Sequence, residues 1–187
     1  MMRADFRVVL DACVLANFRV CDVLLSLAES PRLFLPFWSE AILDETRKTQ
    51  TTKLNWPDGI AESFRDEITS CFPEAEATGF DHLIDQCSND PKDRHVLACA
   101  IHQKAELILT FNLKDFPPES LIRWQIEAKH PQEYLLALYS MEPISVVHRL
   151  ETIARDREED FEDYLLALGR WLPGFSQRIL SDIQTSS

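Results

Sequence analysis

The chain has 187 residues, of which 45% are hydrophobic and 27% charged, a composition typical of one globular domain with an appendage. Its 19 Lys and Arg residues against 31 Asp and Glu residues give a formal net charge of −12. An evenly spread negative charge repels a polyanion, so nucleic-acid binding is excluded unless the fold assembles a local basic patch.

Cysteine, glycine and hydropathy patterns narrow the class further. The five cysteines include no C-x-x-C pair, a pattern that indicates neither a disulfide framework nor a zinc knuckle. We therefore expect a reducing, cytoplasmic environment. No stretch approaches the roughly 20 apolar residues of a membrane span. The four isolated glycines argue against a phosphate-cradling nucleotide loop.

The first part of the chain alternates predicted strands and helices. Residues 6–10 are predicted to form a strand, because residues 8–10 are the consecutive apolar residues of a buried parallel strand. The patterns then predict a helix at 14–28, a strand at 32–36 and helices at 39–50 and 57–70. Ser39 is the expected N-cap of the helix at 39–50.

A second run of signals begins at Asp90. A capping residue, Pro91 and then Asp93 predict a helix that continues to residue 104. Strands are predicted at 107–109 and, more weakly, at 124–128, and a helix is predicted from Pro131. Alternating strands and helices indicate an α/β fold with three layers, α/β/α, around a mostly parallel sheet.

From about Met141 the strand signals stop. Amphipathic patterns predict helices at 144–154, 161–172 and 175–183. We therefore divide the chain into an α/β domain at 1–140 and a helical extension at 141–187. We expect the extension to pack on the domain because several of its side chains are apolar: Leu165, Leu166, Leu168, Trp171 and Leu172.

Four acidic residues occupy positions where they can meet. Asp11 and Asp115 each follow a predicted strand, and ligands of open α/β sheets bind beyond the carboxyl ends of the strands. Glu45 shares a helix face with Ala41 and Ile42, and Asp93 begins the apolar face of its helix. Simpler interpretations exist for each acid, namely a turn residue, a solvated edge position or a helix cap.

Carboxylates that converge on one crevice repel each other unless a cation or a proton lies among them. Oxygen ligands suit Mg²⁺ or Mn²⁺, which polarise a phosphate and lower the pKa of a bound water. The set of acids therefore predicts phosphodiester hydrolysis. Asp44, by contrast, is expected to face solvent and pair with Lys48.

Four segments, in this order, resemble the motifs of PIN domains, with the VapC-type toxins of bacterial toxin–antitoxin pairs as the nearest type. They are VVLDACVL at 8–15, SEAILDE at 39–45, DPKDRHVLA at 90–98 and LTFNLKDF at 109–116. The resemblance spans roughly residues 6–140. The tail beyond Met141 exceeds a minimal PIN domain and resembles the longer members.

The resemblance implies a Mg²⁺- or Mn²⁺-dependent endoribonuclease with an RNA substrate, for which tRNA is a candidate. It implies inhibition by a cognate antitoxin protein and a homodimer. The family's acidic positions map onto Asp11, Glu45, Asp93 and Asp115, and its polar positions beside the metal onto Thr110 and Asn112. Many members carry an acid where this chain has Asn112. The fourth ligand is therefore Asp115 or the Asn112 carbonyl, or only three acids bind metal.

Basic residues near the proposed acids are candidates for substrate phosphates. Lys92 and Arg94 flank Asp93, Lys114 precedes Asp115, and Arg19 lies about two helical turns past Asp11. We expect the five histidines to carry no site, with His95 and His102 on a helix surface.

Two other functions compete with the nuclease. A non-catalytic, PIN-like protein-binding module would keep the fold and the acids. A receiver-like phospho-acceptor domain also places acids after parallel strands, but it needs a second acid beside Asp11, which the sequence lacks. Metal-dependent cleavage of purified RNA distinguishes the nuclease from both.

Overall fold

The computed structural model of the chain describes residues 5–186. Five strands form one sheet in the order β3-β2-β1-β4-β5, and every neighbouring pair is parallel. The strands are β1 (Arg7–Leu10), β2 (Leu35–Ser39), β3 (Glu76–Ala77), β4 (Leu107–Leu109) and β5 (Glu127–Lys129).

The helices connect the strands and then continue beyond the sheet. They are α1 (Ala12–Leu15), α2 (Phe18–Ala28), α3 (Glu40–Thr52), α4 (Asp58–Cys71), α5 (Asp81–Ile84), α6 (Arg94–His102), α7 (Pro118–Leu121), α8 (Pro131–Met141), α9 (Pro143–Asp156), α10 (Phe161–Leu168) and α11 (Pro173–Ser186). Short 3-10 helices lie at Leu113–Asp115 and Ile122–Trp124. Among the described helices, none has the length and apolar character needed to cross a membrane.

The central strands are covered on both faces. Val8, Val9 and Leu10 are all 0% exposed, although successive side chains of a strand point to opposite faces of the sheet. The residues of β4 are also buried. This burial requires a helical layer on each side of the sheet, and the predicted three-layer α/β/α class with a parallel sheet is confirmed.

The order of the strands determines where a ligand can bind. After β1 the chain adds β2 and β3 on one side, and then returns to place β4 and β5 on the other side of β1. The connections therefore diverge between β1 and β4. In open α/β sheets, the crevice beyond the carboxyl ends of the strands at such a point is the usual ligand site.

Two early boundaries differ from the prediction. The helix expected at 14–28 is two helices, α1 and α2, because Asn17 interrupts it and its side chain accepts a hydrogen bond from the Val20 N–H. The strand expected at 32–36 begins at Leu35, three residues late. Ser39 is the N-cap of α3, as predicted, and its hydroxyl accepts from the Ile42 N–H at 3.3 Å.

The predicted start of the helix at Asp90 is wrong. Residues 91–93 form turns, and α6 begins at Arg94 with Asp93 in the N-cap position. The Asp90 carboxylate accepts from the Lys92 N–H at 3.0 Å, and its carbonyl accepts from the Asp93 N–H at 2.9 Å. These local bonds close a turn instead of a first helical turn.

The helical tail packs on the domain, as expected. Arg19 of α2 forms a two-pronged ion pair with Glu159, with both N–O distances at 3.0 Å. Arg157 pairs with Asp22, and its guanidinium lies 4.7 Å from the centre of the Phe18 ring. Arg19 is therefore used to attach the tail and is not part of a basic patch beside Asp11.

Apolar packing continues from the domain into the tail. Leu165, Leu168 and Leu172 are fully buried, but Leu166 and Trp171 are 58% and 52% exposed, so two of the five predicted docking residues face solvent. The predicted boundary at 140/141 falls at the last turn of α8. The division into a domain at 1–140 and an extension at 141–187 stays a prediction. Residues 1–4 and 187, which belong to these two ranges, lie outside the described part of the chain.

Candidate active site

The carboxyl ends of β1 and β4 bring Asp11 and Thr110 side by side. Leu10 and Leu109 are register partners in the parallel ladder, and the Asp11 N–H donates to the Leu109 carbonyl at 3.0 Å. Asp11 is only 3% exposed, and Thr110 is fully buried. A buried carboxylate needs hydrogen-bond donors, and the neighbouring residues supply them.

Two side chains orient the Asp11 carboxylate. The Thr110 hydroxyl donates to Asp11 Oδ2 at 2.6 Å, and the Cys13 thiol donates to the same oxygen at 3.0 Å. Thr110 Oγ1 in turn accepts from the Asn112 N–H at 2.9 Å. A hydroxyl has one proton and can also accept, and a carboxylate can only accept, so Thr110 donates its proton to Asp11 while it accepts from Asn112. None of the described residues donates to Asp11 Oδ1.

Cys13 is a site residue that the sequence analysis missed. Burial, and next the negative charge of Asp11, raise the pKa of its thiol to about 12. The thiol therefore stays protonated and remains a donor to Asp11 at neutral pH. Its only sequence signal is its position two residues after Asp11.

Glu45, on α3, lines the same cleft as Asp11. Its side chain is 46% exposed. Lys48, Thr49 and Thr52 follow it at the spacing of one helical face and line the same cleft, and Ala41 on that face is exposed instead of forming part of an apolar stripe as predicted. The buried stripe of α3 is Ile42, Leu43, Thr46 and Gln50. Glu45 therefore faces the site beside polar neighbours.

Asp93 lies at the N-cap of α6 and lines the same cleft as Asp11, Glu45 and Asp115. Its side chain makes no capping hydrogen bond, although it occupies the N-cap of α6. Burial, followed by the negative charges of Asp11, Asp115 and Glu45, raises the pKa of Asp93 to about 6. Repulsion of this kind is expected where several carboxylates share one site.

The loop after β4 completes the site. Asp115 ends the 3-10 helix Leu113–Asp115, and its carbonyl accepts from the Asp90 N–H at 3.2 Å. This bond ties the loop to the turn that precedes Asp93. Asn112 begins the same loop, so both candidates for a fourth ligand reach the site.

These residues line one cleft of about 590 Å³. Its lining residues are Asp11, Ala12, Cys13, Glu45, Lys48, Thr49, Thr52, Lys53, Lys92, Asp93, Asn112 and Asp115. All four proposed acids are present, together with Asn112 and Lys92, while Thr110 lies beneath Asp11. Two proposed phosphate-binding residues are not in the lining: Arg94 donates to the Asn89 carbonyl at 3.4 Å, and Lys114 is exposed.

His95 and Lys48 differ from their predicted positions. The His95 side chain is only 14% exposed, and its Nε2 lies 3.6 Å from a Glu45 carboxylate oxygen. Burial lowers the pKa of His95, but Glu45 and Asp93 outweigh it, so the pKa is raised. Asp44 does not pair with Lys48. Its carboxylate accepts from Arg65 of α4 at 2.6 Å, which leaves Lys48 in the cleft.

The donor types in the cleft fit a hard divalent cation. Carboxylate oxygens and the Asn112 amide oxygen are ligands that Mg²⁺ and Mn²⁺ accept, and a cation would relieve the repulsion that raises the pKa of Asp93. Within residues 5–186, no three His, Cys, Asp or Glu side chains form a ready metal-binding group.

The Thr110 hydroxyl permits a sharp test of how Asp11 is held. Thr110→Val should lower the free energy of unfolding by about 1–3 kcal/mol, because the buried Asp11 carboxylate loses its shorter hydrogen bond and the Asn112 N–H loses its acceptor. Any activity that depends on Asp11 should fall by about 10- to 100-fold. Chemical denaturation and an activity assay measure the two effects.

Thr46→Val is the matched control. Thr46 is as buried as Thr110, but its hydroxyl donates only to the Ile42 carbonyl of its own helix. We expect a smaller stability change and unchanged activity for this variant. Equal losses in both variants would show that Thr110 contributes only general packing.

Comparisons with known proteins agree with this geometry. A family profile described as "PIN domain" matches residues 5–114. The chain is 35% identical over 136 residues to a Mycobacterium tuberculosis protein named "Putative ribonuclease VapC50", an alignment that covers 71% of this chain and 78% of that protein. No solved structure is a significant match.

Proposed function

The chain belongs to the PIN domain family, and from that premise we propose that it is a metal-dependent endoribonuclease that hydrolyses RNA phosphodiester bonds. The printed name of the relative supports RNA as the substrate. The observation that carries the proposal is that Asp11, Glu45, Asp93 and Asp115 all line one cleft beyond the carboxyl ends of β1 and β4. The raised pKa of Asp93, which is caused by burial and then by the other acids, agrees with that arrangement.

Asp11, Glu45, Asp93 and Asp115 are the proposed metal ligands, with Asn112 beside them in the same cleft. When bound, Mg²⁺ or Mn²⁺ would polarise the phosphate and lower the pKa of a water molecule. In hydrolysis, the water oxygen forms a bond to phosphorus while the bond from phosphorus to a ribose oxygen breaks. The side chains of the cleft hold the reacting groups in position around that phosphate.

The protein's own contribution is pre-organisation. The donors Thr110 and Cys13 hold Asp11 through Oδ2, and none of the described residues occupies Oδ1 with a hydrogen bond, while Asp11 lines the cleft. Lys92, next to Asp93, lines the cleft and is placed to contact a phosphate oxygen. Arg94 and Lys114 stay proposed substrate contacts, but they would have to act from outside the lining.

Biologically, we propose the toxin of a bacterial toxin–antitoxin pair, inhibited by a cognate antitoxin protein and active in the cytoplasm. The name of the relative and five free cysteines support these assignments. A homodimer and a tRNA substrate are further proposals that follow from the family resemblance. Membership of the PIN domain family rules out the receiver-like alternative.

Metal removal tests the function directly. Cleavage of purified RNA should disappear in excess EDTA and return with Mg²⁺ or Mn²⁺, because the clustered acids repel a phosphate without a cation. Gel analysis of a labelled RNA measures this. Undiminished cleavage in chelator would contradict the mechanism, and no cleavage with either metal would favour the non-catalytic protein-binding module.

A further inference from the structure

One wall of the cleft is basic, although the chain as a whole is acidic. The cleft is lined on α3 and its C-cap by Lys48, Thr49, Thr52 and Lys53, and Lys92 in the turn before α6 lines the same cleft. These three lysines face four carboxylates, so the cleft is close to neutral while the whole chain carries −12. We call Lys48, Thr49, Thr52 and Lys53 the α3 wall.

The lysines of the α3 wall are available to a ligand. Several other cationic side chains are used inside the protein: Arg19, Arg65 and Arg157 each form an ion pair. In residues 5–186, neither Lys48 nor Lys53 has a carboxylate within ion-pair distance, and both are exposed. Two lysines without an ion-pair partner are free to contact the phosphates of a polyanion.

The position of the α3 wall relative to the acids indicates what it binds. Glu45 lies on the same helical stripe as Lys48, Thr49 and Thr52, and the helix rises about 1.5 Å per residue, so Lys53 lies roughly 12 Å beyond Glu45 along the axis. That length accommodates the phosphate at the acids and at least one further phosphate along the strand.

Resting on the proposed nuclease function, we propose that the α3 wall binds the RNA backbone next to the scissile phosphate, with Lys48 and Lys53 as its phosphate contacts. A divalent cation among the acids would make the cleft positive overall and would draw the substrate into it. The contacts with phosphate position the strand, and they carry no base specificity. Lys48 and Lys53, together with Lys92, therefore supply the basic contacts inside the cleft, which Arg94 and Lys114 do not line.

The test uses the full chain in an Asp93→Asn background, which prevents cleavage during the titration. A short, fluorescent, single-stranded RNA of mixed sequence is bound to the parent and to Lys48→Gln/Lys53→Gln, and anisotropy is measured between roughly 50 and 200 mM salt. The double variant should bind roughly tenfold more weakly near 150 mM salt. Its plot of log affinity against log salt should be flatter by about 1.4, or about 0.7 for each lost contact.

Lys104→Gln is the matched control, because Lys104 is an exposed lysine between α6 and β4, before the amino end of β4, whereas the cleft lies beyond the carboxyl ends of the strands. It should bind RNA within about twofold of the parent, which measures the general effect of one lost charge. Circular dichroism confirms that each variant is folded. A double variant that binds with the affinity and salt slope of Lys104→Gln overturns the proposal, as does a parent that does not bind RNA.

Failure of this inference differs from failure of the proposed function. Cleavage by the unmodified chain with Mg²⁺ or Mn²⁺ tests the function, and the salt series tests the α3 wall. If the unmodified chain cleaves RNA and the double variant binds like the control, the strand enters over another surface. Lys114→Gln, measured in the same series, then tests whether the loop after β4 is that surface.

Discussion

Asp93→Asn and Asp11→Asn should each lower the rate of RNA cleavage by more than about 100-fold, because even residues that only support a metal ligand cost about 10- to 100-fold when they are changed. The fold should survive both changes. Asparagine keeps the shape and can still accept from Thr110 at position 11, and it is a good N-cap residue at position 93.

Asp93→Asn should also change the thermal stability of the fold, and the direction of that change is informative. The pKa of Asp93 is raised in the folded protein, by burial and then by Asp11, Asp115 and Glu45, so the charged form at neutral pH destabilises the fold relative to the unfolded chain. Removing the charge should therefore raise the Tm slightly in the absence of metal. A clearly lower Tm would mean that Asp93 is a structural cap instead of a strained ligand.

Asp44→Asn is the control for the acids. Asp44 is one residue from Glu45 on α3, but its side chain is 64% exposed and pairs with Arg65. Exposed ion pairs contribute only about 0–1 kcal/mol, and Asp44 does not line the cleft. We expect unchanged cleavage in this variant. A loss comparable to that of Asp93→Asn would show that the wrong face of α3 had been assigned to the site.

The convergence of the acids was predictable because it depends on topology. Asp11 and the loop from Thr110 to Asp115 follow buried strands, and parallel strands present their carboxyl ends at one edge. The register of Leu10 with Leu109 then places Asp11 against Thr110. A single sequence indicates where these two strands end, because the apolar runs of β1 and β4 are continuous.

The residues that were missed depend on contacts between distant elements. Lys48 was expected to pair with Asp44 from its four-residue spacing, but Arg65 of α4 takes that carboxylate. His95 was expected on a helix surface, yet the packing of α3 near α6 brings it to Glu45. Local periodicity does not report such tertiary competition.

Local hydrogen bonding explains the misplaced boundaries. Asp90 and Pro91 have the composition of a helix start, but the Asp90 carboxylate closes a turn onto the Lys92 N–H. β3 has only two residues, Glu76 and Ala77, which is too short to show a period of two. Patterns in a single sequence are therefore least able to predict the boundaries of turns and the existence of very short edge strands.

Removal of the tail should make the remaining chain aggregate or lose its cooperative unfolding. Truncation after Met141 deletes α9–α11, which contact α2 and α8, and it exposes the apolar faces that those helices cover. Buried side chains contribute about 1.5–3 kcal/mol each, and Leu150, Leu165, Leu168, Leu172, Phe175 and Ile179 are all 0% exposed. Several such losses match the whole stability of a typical domain, about 5–15 kcal/mol.

Point substitutions in the intact chain test the same packing without uncovering a whole face. Phe175 is fully buried with its ring 6.4 Å from that of Tyr139 in α8, while Trp171 is 52% exposed. Phe175→Ala should cost about 3–5 kcal/mol in the free energy of unfolding, and Trp171→Ala about 0.5 kcal/mol. Urea denaturation followed by circular dichroism measures both. If the truncated chain is monomeric and as stable as the full chain, and Phe175→Ala unfolds like Trp171→Ala, the tail is an independent module and the nuclease domain is complete without it.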